Sequence, residues 1–157
     1  MIRLNRKTEY ALLALRYLSA RTADGRVSVR AIAEHYSAPE MVLAKVLQKL
    51  RKGGMVVSQK GARGGYSLSR DTREISFTDV LRLFGESTHI VECLPTTSAA
   101  QCQQEPQCDI QRPLEVLNGV ILDHLENLSL AIFFASGTFT ATKDLSINSV
   151  VRPAVRD

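Results

Sequence analysis

A mainly α-helical chain with a small β-hairpin is the fold class that this 157-residue sequence predicts. Apolar residues recur at three- and four-residue spacing along successive stretches, the mark of helices with one buried face. One glycine-rich reversal, Gln59-Lys-Gly-Ala-Arg-Gly-Gly65, separates two short strand-like runs. Side chains that start helices and glycines that stop them stand at the ends of the periodic stretches. The length suits one domain, or a small domain with an appended assembly element, and it is enough to bury a core.

The first helix runs from Asn5, its N-cap, to about Ala20, with Tyr10, Leu13, Ala14, Tyr17 and Leu18 as the apolar stripe. Asp24-Gly25 turns the chain, and Ser28 opens a short second helix that buries Val29, Ile32, Ala33 and Tyr36. Ser37-Ala-Pro-Glu40 reads as a capping box, with Pro39 inside the first turn where its missing donor does no harm. In the third helix Val42, Val46, Leu47 and Leu50 face the core, which leaves Met41, Lys45, Lys49 and Lys52 toward the opposite side. Gly53-Gly54 stops that helix by permitting a left-handed backbone. Met55 to Ser58 and Tyr66 to Ser69 form the two strands, with Lys60 and Arg63 at the tip between them.

Ser76-Phe-Thr-Asp79 starts a fourth helix, which turns Phe77, Val80, Leu81 and Phe84 inward and ends at Gly85. From about Pro113 to Ala135 the pattern predicts one uninterrupted helix of roughly 34 Å. Its seam is Leu114, Leu117, Ile121, Leu125, Leu128 and Ile132. A face that wide predicts a homodimer built on a two-fold seam, with packing inside the monomer as the alternative. The Ser/Thr-rich residues after Gly137 predict a flexible C-terminal tail, residues 137–157.

Two helices joined by a tight turn and followed by a basic hairpin make a winged helix-turn-helix, here a DNA-binding domain over residues 1–85. Residues 113–136 then form a long C-terminal dimerisation helix, with residues 86–112 as a loop before it. The net charge of +4 conceals an asymmetry: residues 1–85 hold 16 Lys/Arg against 7 Asp/Glu, and residues 86–157 hold 4 against 9. The basic part is the footprint expected of a surface facing double-stranded DNA. In such a fold the third helix enters the major groove and the wing reaches the neighbouring minor groove. Ser28, Met41, Lys45 and Lys49 are the residues expected at the major groove, and Lys60 and Arg63 those on the wing.

All three cysteines, Cys93, Cys102 and Cys108, fall within sixteen residues, with eight and then five residues between them. Thiolates select zinc, copper(I) or iron-sulfur centres, and the Pro- and Gln-rich stretches between them read as loop. An odd count argues against a closed disulfide framework. The N-terminus matches neither a signal peptide nor a membrane span, which predicts a cytoplasmic protein with no membrane partner. In that reducing compartment such cysteines are metal ligands or redox sensors more often than structural bridges.

The order Arg3-Leu4-x-x-x-Thr8-Glu9-Tyr10-Ala11-Leu12, then Leu50-Arg-Lys-Gly-Gly-Met-Val56, then Lys60-Gly-x-x-Gly-Gly-Tyr66, then three cysteines before a long helix, resembles the IscR/NsrR/RirA family of bacterial winged-helix regulators. The resemblance covers about residues 1–136. It implies a homodimeric repressor of a palindromic operator whose cysteine loop holds an iron-sulfur cluster, 2Fe-2S or 4Fe-4S, sensing iron, iron-sulfur status, nitric oxide or redox state. It also implies that Cys93, Cys102 and Cys108 are ligands, with Glu9 of the other subunit's first helix as the fourth, as in the NsrR-like branch. The alternative for Glu9 is an ordinary carboxylate near the positive end of a helix. His89, Glu92, Asp109 and His124 are weaker candidates, and His35 reads as a surface residue.

The sequence departs from that family's pattern at several positions. Family members often space the cysteines five and five or seven and five, so the first gap here is longer. Gln111 stands where IscR-like members have a histidine, Lys60 where they have a minor-groove arginine, and Ala44 where they have a glutamate that tunes operator choice. A cluster-free sensor using thiol-disulfide exchange or zinc on the same scaffold is the alternative function. No nucleophile elbow, phosphate loop, zinc-protease helix or catalytic carboxylate pair is present, so neither an enzyme nor a small-molecule substrate is expected.

Overall fold

A computed structural model of the chain describes residues 4–21, 25–61, 64–90 and 107–135. Helix α1 spans Arg6–Ser19, α2 Val29–Tyr36 and α3 Glu40–Lys52. Strands β1, Val56–Gln59, and β2, Gly65–Leu68, pair antiparallel with Val56 opposite Leu68 and Gln59 opposite Gly65. A 3-10 turn at Thr72–Glu74 leads to α4, Phe77–Phe84; α5 spans Gln111–Asn127 and α6 Leu130–Ala135. Cys93, Cys102, Glu92, Arg63 and the expected tail lie outside the described residues.

The local start signals act as expected in α1, α2 and α4. Asn5 accepts the Thr8 amide at 3.0 Å, Ser28 accepts that of Ala31 at 3.1 Å, and Ser76 and Asp79 form a complete capping box. Gly54 and Gly85 take the positive φ that ends α3 and α4. The core gathers from every helix of the head: Leu15, Ile32, Leu43, Leu47, Leu50, Ile75 and Val80 are wholly inaccessible.

Four details differ from the sequence expectation. Ser37 does not cap α3; it closes α2 with φ 49°, and the Ala38 amide folds back onto the Ala33 carbonyl at 2.9 Å. Helix α3 instead starts after Pro39, with no side-chain cap, because the tight α2–α3 turn consumes the serine. Leu43, not Val42, is the fully buried residue of α3, and Val42 is half-buried. On α1 the buried face is Ala11, Leu12, Ala14, Leu15, Tyr17 and Leu18, while Tyr10 and Leu13 lie at its margin. That face is wide because α1 packs against α3, α4 and β2 at once.

The fourth difference is that the long helix is broken. Its seam stops at Leu128, where the backbone turns extended, and Ser129 bridges antiparallel to Ser76. The Phe77 amide donates to the Leu128 carbonyl and the Leu130 amide to the Ile75 carbonyl, both at 2.8 Å. Two strong backbone bonds replace those the helix gives up, and Leu130 gains complete burial. Ser129 then caps α6.

The wing is anchored by a contact that no local pattern announces. Val27 and Tyr66 exchange backbone hydrogen bonds of 2.9 and 2.8 Å, so the residue before Ser28 is tied to β2. Gly65 makes this possible: its φ is +148°, and a Cβ there would stand 2.6 Å from the Val27 carbonyl oxygen.

Candidate nucleic-acid interface and sensor site

Helix α3 divides into two faces. Leu43, Val46, Leu47 and Leu50 are buried, and Met41, Lys45, Gln48, Lys49, Arg51 and Lys52 are exposed, Met41 to 77%. An apolar residue that open next to Lys45 one turn on is a surface shaped for contact. Lys49, although exposed, bends back so that its Nζ lies 4.9 Å from the Phe84 ring centroid, a cation-π contact with α4. The outward face of α3 is therefore centred on Met41 and Lys45.

Ser28 is exposed at the start of α2, and the bridge from Val27 to Tyr66 holds that helix end beside the wing. Its hydroxyl oxygen accepts the Ala31 amide, which leaves its own proton to donate. Lys60 is exposed just beyond β1, where Gly61 at φ +115° begins the reversal. The Arg51 guanidinium reaches the Ser58 hydroxyl at 3.4 Å, which links the end of α3 to β1. These ties hold the end of α3, the hairpin and the start of α2 to one another, with Lys45, Arg51 and Lys60 exposed on them. Arg30, also exposed, pairs with Glu34 one turn on, and that hydrogen bond raises its pKa above the ordinary arginine value.

The residues expected to hold a cluster are placed only in part. Glu9 sits in the first turn of α1 beside a shallow hollow lined by Leu4, Asn5 and Arg6. Its carboxylate pairs with Arg6 at 2.8 Å, and the hydrogen bond raises the Arg6 pKa above its ordinary value. Cys108 is a half-buried free thiol three residues before α5. The donor chemistry of these two, a thiol and a carboxylate in an exposed and displaceable ion pair, fits an iron centre. Among the described residues no three His, Cys, Asp or Glu side chains gather into a metal site. His124 and Asp109 are exposed, and His35 is exposed with its ring edge-on to Tyr17 and Tyr36.

Contacts that sequence reasoning missed join elements far apart in the chain. Glu86 accepts hydrogen bonds from the start of α1, buried Asn118 of α5 accepts the Ile90 amide, and Arg82 of α4 pairs with Glu126 of α5. A polar residue at position 118, between Leu114 and Ile121 on the apolar seam, was a readable signal; Glu86 had none in its local sequence.

Comparison with known proteins decides the lineage. The Rrf2 family, described as an iron-dependent transcriptional regulator, matches residues 4–136. The chain belongs to the Rrf2 family. A protein of Aquifex aeolicus, named only in general terms as an HTH-type transcriptional regulator, is 35% identical over 121 residues, covering 77% of this chain and 83% of its own. The NsrR regulator of Bacillus subtilis is 31% identical over 124 residues, 79% of this chain and 82% of its own. Among solved structures, T. potens IscR is 26% identical with a TM-score of 0.62, over 85% of this chain and 86% of that one. The oxidised form of Staphylococcus aureus CymR is 27% identical with a TM-score of 0.63, over 84% and 95%. This Rrf2 chain is a DNA-binding transcriptional regulator and not an enzyme. Its fold is the mainly helical winged-helix one that the sequence predicts. Among the described residues no helix is long and apolar enough to cross a membrane.

Proposed function

We propose that this Rrf2 protein is a cytoplasmic homodimeric repressor whose affinity for a palindromic DNA operator is set by an iron-sulfur cluster. The observation that carries the proposal is the pairing, in one chain of an iron-dependent regulator family, of an exposed basic reading surface with three cysteines before α5. Met41 and Lys45 meet the major groove, Lys49 flanks them, and Ser28 donates to a phosphate at the start of α2. Lys60 and Arg63 follow the minor groove with charge but, at Lys60, without arginine's planar fork.

Cys93, Cys102 and Cys108 would hold the cluster, with Glu9 of the second copy completing it. The cluster supplies a reversible, redox-sensitive tie between subunits. Glu9, now paired with exposed Arg6, would be the residue that holds the metal from the second copy, and in doing so would join α1 of one copy to the cysteine segment of the other. Regulation then acts through the difference in stability between DNA-competent and incompetent arrangements.

The test is the visible absorption spectrum of protein purified without oxygen, with iron and sulfide measured on the same sample. Broad charge-transfer absorption with stoichiometric iron and sulfide is expected. A colourless, iron-free protein that also resists reconstitution would refute the cluster. A cluster-free thiol sensor is the second reading, favoured by the likeness to a CymR crystallised in an oxidised form. It requires reversible loss of titratable thiols on mild oxidation with a matching change in DNA affinity. DNA contact is tested by salt dependence: Lys45→Ala and Lys60→Ala should each lower the slope of log affinity against log salt by about one.

A further inference from the structure

Helix α1 begins with an incomplete cap. In a reciprocal cap the first side chain takes an amide from the first turn, and an acidic side chain three residues on takes the N-cap's own amide. Asn5 does the former. The residue three on is Thr8, which is too short to reach back. Glu86, 81 residues away in sequence, fills the place: its Oε1 accepts the Asn5 amide at 2.8 Å and the Thr8 hydroxyl at 2.5 Å. Thr8 is wholly inaccessible to solvent and Glu86 is half-buried, so the bond between them is charge-assisted and part-buried. The carboxylate also lies at the positive end of α1.

Glu86 is itself held firmly. Gly85 takes φ +72° to end α4, and the Glu86 amide donates to the Leu81 carbonyl at 3.0 Å. Four residues on, the Ile90 amide donates at 3.0 Å to Asn118, which is 5% exposed on α5. Residues 86–90 are thus tied at one end to α1 and at the other to α5. Glu9 follows Thr8 directly, and because Glu86 supplies the cap's carboxylate, the cap does not consume Glu9.

We propose that Glu86 is a positioning residue for Glu9, holding the first turn of α1 where Glu9 can ligate the cluster. This rests on Glu9 being a ligand, as proposed above. The test uses the full chain reconstituted without oxygen with ferrous iron and sulfide, as wild type and as Glu86→Ala, Glu86→Gln, Thr8→Val and Glu9→Ala. Cluster loss to excess chelator is followed by visible absorbance, and amide hydrogen exchange of residues 5–9 is measured on the metal-free proteins.

Glu86→Ala and Thr8→Val should each speed cluster loss and first-turn exchange at least tenfold. Glu86→Gln, which keeps the acceptor oxygen, should stay within threefold of wild type on both. Should Glu86→Ala fail to fold, Thr8→Val carries the same test, since it removes one donor and keeps the side-chain volume. Wild-type cluster loss in Glu86→Ala and Thr8→Val, with acceleration in Glu9→Ala, would overturn the role of Glu86 and leave Glu9 a ligand. Equal acceleration in Glu86→Gln and Glu86→Ala would overturn it as well. No effect of Glu9→Ala, or no cluster uptake by wild type, would remove Glu9 as a ligand and the proposal with it.

Discussion

The winged head and helix α5 are built on opposite terms. In α1, seven of fourteen residues are buried; in α5, one of seventeen is, and that one is Asn118. Val116 and Leu117 are each about half exposed on α5, and Ile110 just before it is 62% exposed. The head's core is closed by its own elements together with Leu130 of α6, whereas α5 carries apolar surface that the described residues leave uncovered. Isolated helices of this length are marginal in water, so α5 depends on what packs against it. That contrast is what supports a two-fold seam between copies.

The largest expected effect tests where the boundary between the two regions lies. Leu130→Ala removes a wholly buried side chain that α6 inserts into the head's core, and it should cost about 2–5 kcal/mol in urea unfolding. A cost below about 1 kcal/mol would mean that the head completes its core without α6. Next in size, Leu117→Arg places a charge on the exposed seam of α5. It should weaken self-association at least tenfold, about 1.4 kcal/mol, in sedimentation equilibrium while leaving far-ultraviolet circular dichroism unchanged. Unaltered self-association would overturn the proposal that copies meet along α5.

The parts of the head legible in sequence were those governed by neighbours along the chain. Asn5, Ser28, and Ser76 with Asp79 cap helices through residues three positions away, and Gly54 and Gly85 end them through their own backbone freedom. What could not be read depends on distant partners. The break at Leu128 arises because Ile75 and Phe77 offer an edge to pair with, which a seam of regularly spaced leucines cannot reveal. Ser37 carries the letters of a capping box but sits where the α2–α3 turn needs a left-handed residue. Of the site, the outward face of α3 was legible from periodicity. The recoil of Lys49 onto Phe84 was not, because α4 lies more than twenty residues further on.

Smaller effects sharpen the contrast within the head. Thr78 is wholly buried, and its hydroxyl has no hydrogen-bond partner among the described residues. Thr78→Val removes that unsatisfied group at nearly constant volume and should stabilise the protein by about 1 kcal/mol in the same assay. A destabilised Thr78→Val would reveal a partner for the hydroxyl.

The smallest effect concerns Asp71, which caps the 3-10 turn and whose hydrogen bonds from the Arg73 side chain and amide lower its pKa from 3.8 to about 2. A depressed carboxylate pKa contributes stability above the unfolded value, and that contribution is lost as pH falls through the folded one. The urea midpoint should therefore decline slightly between pH 4 and 2, and less so in Asp71→Asn. Because the pair is exposed, the difference should be small and should shrink further in high salt.

The extended step at Leu128 and Ser129 has a mechanical meaning. By stitching the far end of α5 to the edge of α4, it turns head and helix into a single lever rather than two bodies on a hinge. A 17-residue helix is about 25 Å long, so each degree of tilt at one end moves the other by about 0.4 Å. In the two-fold pair proposed above the displacement would double between the two α3 helices. On that proposal a few degrees at the seam would be enough to bring two half-sites into phase or to carry them out of it.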